Sequence, residues 1–137
     1  MRRTLLLTIL TVTFSSFVPA QSTEQLDKCM DKARTQLDLH LCADGEAKRV
    51  DAELNSVYQQ LLSTALNDSG AIEKIRAAES AWIGYRDAYL EATYPAENKL
   101  AAYGSMYTTE ILLLRTKLTR QQTDALRDML KRYSGSR

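Results

Sequence analysis

Apolar side chains return at helical spacing along three long stretches of this chain. Val50, Leu54, Val57 or Tyr58, Leu61 and Ala65 make the first set. Ile72, Ile75, Ala78, Trp82, Tyr85 and Tyr89 make the second. Ile111, Leu114, Leu118, Ala125 or Leu126, and Met129 make the third. Steps of three and four put each set on one stripe of an α-helix. No stretch alternates apolar and polar residues as a half-buried strand would.

Local signals set the ends. Thr35-Gln36-Leu37-Asp38 reads as a capping box with Asp in place of Glu, opening a long helix after Thr35. Gly45 weakens that helix by about 1 kcal/mol and marks a candidate break. Asn67-Asp68-Ser69-Gly70 is a turn. The next helix spans about 71–94 and stops at Tyr94-Pro95, because a residue before proline resists the helical region. Residues 95–104 read as a loop with at most a little helix. The last helix begins near Ser105, and Thr119 is a candidate cap for a separate final segment. A shorter helix, about 22–33, precedes them all, with Leu26, Cys29 and Met30 on one face. The expected fold is all-α: a small antiparallel bundle of three long helices plus one short N-terminal helix, held by one disulfide.

The first twenty of the 137 residues stand apart. Arg2 and Arg3, an apolar run from Leu5 to Val12 and a small-residue site at Val18-Pro19-Ala20 follow the order of an export signal. The run is too short for a membrane span. The expected organisation is therefore a signal peptide over 1–20, one helical domain over 21–133 and a disordered tail over 134–137. The expected location is the periplasm or the exterior, with no membrane anchor after cleavage.

Charge narrows the class. Without Arg2 and Arg3 the chain keeps 16 of 18 bases against 17 acids, a formal charge of −1. That balance excludes a general nucleic-acid binder, which carries a strong basic excess. Residues 21–60 hold eight acids and five bases, and 111–137 hold seven bases and two acids. Cys29 and Cys42 are the only cysteines, so an oxidising compartment allows one intramolecular bridge. A redox pair would take C-x-x-C spacing, and zinc would need two further ligands.

Candidate chemistry is sparse. No zinc-protease, phosphate-loop or nucleophile-elbow motif occurs, and His40, the only histidine, reads as a helix-surface or packing residue. The carboxylates read as solvated helix faces, as in Glu46-Ala47-Lys48-Arg49. No catalytic residue, metal site or cofactor is expected. Two clusters stand out. Asp51, Leu54, Asn55 and Tyr58 share a face of one helix, and Trp82, Tyr85, Arg86 and Asp87 crowd two turns of the next. Helical core spacing favours burial, with Arg86 meeting Asp51 or Asn55 between the helices. A partner-binding hot spot is the functional alternative, since Trp, Tyr and Arg dominate such sites.

Taken in order, Cys29…Cys42, Asp51-x-x-Leu54-Asn55-x-x-Tyr58, Ala81-Trp82-x-x-Tyr85-Arg86-Asp87-Ala88, Gly104-Ser105 and Leu118-Thr119 resemble the LprI-like lysozyme-inhibitor family. The resemblance implies an envelope or secreted helical protein that binds a protein partner, such as lysozyme or a related muramidase. It also implies three departures. Leu90 and Leu114 replace a second cysteine pair, Gln122 stands where arginine is usual, and Tyr103-Gly104 replaces a glycine pair. Two other classes are weighed: an envelope interaction module serving immunity or stress response, and an enzyme acting on wall glycans.

Overall fold

The computed structural model of the chain describes residues 20–135 and contains helices and no strand among them. Five helices follow in order: α1 (Ala20–Lys32), α2 (Gln36–Thr64), α3 (Ser69–Thr93), α4 (Lys99–Tyr103) and α5 (Tyr107–Gly135). The expected export signal lies outside the described residues except for Ala20, which opens α1. No helix among the described residues is long and apolar enough to cross a membrane.

Four of the boundaries have a clear local cause. The Asp38 amide donates to Thr35 Oγ1 at 3.1 Å, and the Thr35 amide donates back to Asp38 Oδ2 at 2.9 Å, completing the capping box. The backbone N–H of Arg34 also donates to Asp38, and these bonds hold its carboxyl below the usual range. Asp68 caps α3 by accepting from the Ala71 amide at 2.9 Å. Asn98 caps the single-turn α4, and Gly104 ends it at φ 74°, a left-handed conformation that favours glycine. Two candidate features and one expected feature are absent. α2 runs through Gly45 unbroken. α5 runs through Thr119, whose hydroxyl donates to the Arg115 carbonyl instead of capping a new helix. Ser134 and Gly135, expected to open a tail, are still helical.

The long helices run up, down and up, so α2 and α5 are parallel and α3 is antiparallel to both. Cross-helix contacts show the direction: His40 meets Thr109 and Glu53 meets Arg127, whereas Glu79 meets Gln122 and Tyr94 meets Glu110. The tightest pairing joins α2 to α5, which are not neighbours in sequence. Small side chains allow it. Ala43, Ala47 and Val50 are buried on α2, and Thr116, Thr119 and Thr123 on α5. Each of these threonine hydroxyls donates to the carbonyl four residues earlier, so burying it leaves no unmet donor.

Charged side chains stitch the same seam. Glu46, read from sequence as solvated, is buried, its side chain only 4 % exposed. It accepts from Arg49 Nη2 at 2.6 Å and from Arg120 of α5. Burial alone would raise its carboxyl pKa, but Arg49 and Arg120 outweigh burial and hold it below the ordinary value. Glu53 bridges Arg49 to Arg127.

The apolar core lies where α2 turns into α3. Leu54, Val57, Leu61, Ala65, Ala71, Ile75 and Leu126 are buried there, with Tyr58, Trp82 and Met129 packed around them. At the other end, the disulfide Cys29–Cys42 ties α1 to α2 with Cα atoms 5.8 Å apart, inside the normal range for a bridge. Tyr94, Tyr103 and Tyr107 pack edge to face or tilted where α3, α4 and α5 meet, with ring centroids 5.0 to 5.9 Å apart.

Candidate functional site

α2 and α3 share a short turn, yet they approach each other far less closely than α2 approaches α5. Between them opens a solvent-exposed groove of about 470 Å³. α2 contributes Asp51, Leu54, Asn55 and Tyr58, at offsets of three and four along one face. α3 contributes Arg76, Glu79, Trp82, Ile83 and Arg86 on a matching stripe. Arg115 of α5 completes the lining.

Six of the residues singled out from sequence therefore come together, but as the wall of a groove and not as a sealed core. Only Leu54 among them is buried. Asn55 is exposed, and Asp51, Tyr58, Trp82 and Arg86 are half-buried. The expected pairing of Arg86 with Asp51 or Asn55 does not form. Arg86 Nη2 instead meets Asp87 Oδ1 at 2.7 Å, and its guanidinium lies 5.2 Å from the Trp82 ring centroid in a cation–π contact. Asp51 is taken by Arg115 Nη2 at 3.2 Å. The reason is geometric: helices this far apart leave Arg86 closer to its own helix than to α2.

Tyr85 and Asp87 do not line the groove. Tyr85 and Tyr89, expected on the core stripe, are exposed, with ring centroids 5.9 Å apart. Ile83 is exposed as well. Asp87 faces solvent and holds Arg86. His40 is half-buried, its Nδ1 3.4 Å from the Thr109 hydroxyl.

Sequence reading missed Arg76, Glu79, Ile83 and Arg115. The first three were findable, because Arg76, Glu79, Ile83 and Arg86 recur at steps of three and four on one stripe of α3. Glu79 is buried and accepts from Gln122 Nε2 at 2.8 Å. Gln122, which breaks the apolar stripe of α5, thus makes the polar link between α3 and α5.

Among the described residues, no group of three or more His, Cys, Asp and Glu side chains is placed to hold a metal ion. What the groove offers is recognition chemistry: an indole, guanidiniums, an amide and a phenol around an aliphatic floor. The described residues thus form a disulfide-tied helical domain with an open, aromatic and cationic groove between α2 and α3. The chain belongs to the lysozyme inhibitor LprI family, whose model matches residues 29–126. That span holds both cysteines and every groove residue. The chain is also similar to an uncharacterized protein of Rhizobium meliloti (strain 1021), at 34 % identity over 125 residues covering 82 % of this chain and 86 % of that protein. No solved structure matches it.

Proposed function

We propose that this is an exported binding protein that blocks a lysozyme-type muramidase, with the α2–α3 groove as its contact surface. The observation that carries the reading is the position of the residues behind the family resemblance. Asp51, Asn55, Tyr58, Trp82 and Arg86 line an open groove, although their spacing would have suited a core. Trp, Tyr and Arg dominate the energy of protein contacts, and here they are presented on helices fixed by packing. The family is one of inhibitors, which supports a protein partner over a reaction.

Export is supported by the order of charge, apolar run and small-residue site in residues 1–20, and by the Cys29–Cys42 bridge, which suits an oxidising compartment. Long-range steering carries less of the reading. The acid excess of residues 21–60 is partly cancelled, because Glu46, Asp51 and Glu53 are paired with arginines of α5. Asp27 and Asp31 on α1 remain as sources of negative field toward a basic enzyme.

The test is digestion of cell walls by several lysozyme types with the oxidised protein added. Slowing at near-stoichiometric ratios is the expected result, weakened by Asn55→Ala and Arg86→Ala, neither of which removes a buried apolar side chain. Absence of inhibition by the wild-type protein at large molar excess, across all the lysozymes, would overturn the reading. Capture of a different envelope protein by the groove would then favour the interaction-module alternative. Wall digestion by the protein alone would favour the enzyme.

A further inference from the structure

α1 is held to the bundle differently from the long helices. Between Thr23 and Lys32 no side chain is fully buried, and only Leu26 and Met30 are half-buried. Among the described residues, none of the buried core side chains lies on α1. Its one side-chain bond there, Lys28 to Glu24, stays within the helix, and no hydrogen bond or ion pair joins residues 23–32 to another helix. By contrast, Glu46–Arg120 and Glu53–Arg127 tie α2 to α5, and Glu79–Gln122 ties α3 to α5. α1 is 13 residues long, about the length at which a helix without tertiary support is marginal in water. Two covalent links hold it beside α2: the connection through residues 33–35 and the Cys29–Cys42 bridge. The connection alone leaves α1 free to swing, so the bridge fixes its position.

The bridge can be reached from solvent. Cys29 is exposed and Cys42 half-buried. Both border a cleft of about 210 Å³ between α1 and α2, together with Leu26, Leu41 and Gly45. Thiol–disulfide exchange needs such access, because a thiolate must approach one sulfur directly.

We propose that the Cys29–Cys42 bridge is a redox latch for α1: a dithiol reductant opens it, and α1 undocks while the bundle of α2, α3 and α5 stays folded. A thiolate of the reductant attacks the more exposed sulfur, that of Cys29. The S–S bond breaks, Cys42 leaves as a thiolate and takes up a proton, and a mixed disulfide remains on Cys29. The second thiol of the reductant then displaces Cys29. Two electrons have passed to the protein, both cysteines are thiols, and the reductant is left as its own disulfide.

The bundle survives because the latch lies off its core and its groove. Asp51 of the groove is nine residues beyond Cys42, two and a half helical turns, and so lies on the opposite side of α2. Glu46 and Arg49 do border the cleft, but Arg120 and Glu53 hold them independently of α1. The latch therefore does not depend on what the groove binds.

Hydrogen–deuterium exchange of the protein, first oxidised and then reduced with dithiothreitol, is the test. On reduction the amides of residues 24–33 should exchange about tenfold faster or more, while those of 50–130 keep their rates. Emission of Trp82, the only tryptophan, should stay unchanged. The double variant Cys29→Ser, Cys42→Ser should match the reduced protein with and without dithiothreitol. Unchanged exchange of α1 on reduction would overturn the proposal. Loss of protection across α2 and α5 would overturn it too, since the bridge would then be a staple of the whole domain.

Discussion

Replacing Glu46 by glutamine isolates the charge that holds α2 to α5. The side chain is 4 % exposed, and both of its oxygens are used: Oε2 accepts from Arg49 Nε at 2.9 Å, and Oε1 accepts from Arg49 Nη2 and Arg120 Nη2. Glutamine keeps the shape but turns one oxygen into an N–H₂ facing a guanidinium, donor against donor. Removing one partner of a buried ion pair costs about 3–5 kcal/mol. Arg49 and Arg120 remain 34 % and 29 % exposed and can turn toward water, so the expected loss is smaller, about 2–3 kcal/mol at pH 7. The pH dependence follows from the direction of the shift. The folded carboxyl lies below its ordinary value of 4.5. Its contribution is therefore complete above that value and fades as pH falls through the folded one. Glutamine does not titrate, so the gap between wild type and Glu46→Gln should narrow on acidification. Urea unfolding followed by circular dichroism, at pH 7 and in steps down to about pH 2.5, measures the gap directly. A gap that stays constant across this range, or a loss under about 0.5 kcal/mol at pH 7, would refute the reasoning.

Two further outcomes test the frame around the groove. Replacing Cys29 and Cys42 together by alanine should cost about 3 kcal/mol, read as a lower urea midpoint that added reductant no longer shifts. Gly104 and Gly45, one ending a helix at positive φ and the other inside a helix, should respond with opposite signs. Gly104→Ala, at φ 74°, should destabilise by about 1–2 kcal/mol, whereas Gly45→Ala, mid-helix with no atom within 4 Å of the added carbon, should stabilise by up to about 1 kcal/mol.

The helices were legible because their signals are local. The Thr35–Asp38 box, the Asp68 turn and Tyr94-Pro95 act within four residues, and the structure uses all three. The failures came where a local signal had a tertiary competitor. Gly45 did not break α2, because the surrounding helix is anchored on both sides by Ala43, Ala47 and Glu46 against α5. Thr119 did not cap, because its hydroxyl found a carbonyl one turn back and its methyl found the seam. The buried threonine row was written plainly enough, at 109, 116, 119 and 123. Apolar counting passes over it, because a threonine that bonds its own helix packs as a small apolar residue.

The groove follows from that row. Small residues let α2 and α5 close on each other, whereas α3 brings Trp82 and Arg86 to its side of the bundle and cannot approach as near. Spacing of three and four on Asp51–Tyr58 and on Trp82–Tyr89 says that each set shares a face. It does not say how far that face stands from the next helix. Ala43, Ala47, Thr116 and Thr119, none of which lines the groove, set instead how closely α2 meets α5. Half of what looked like core was therefore left half-open, and Arg86, deprived of Asp51, settled on Asp87 and its own helix's indole. A groove made in this way needs no specialised loop, only one helix pair that packs more closely than its neighbour can.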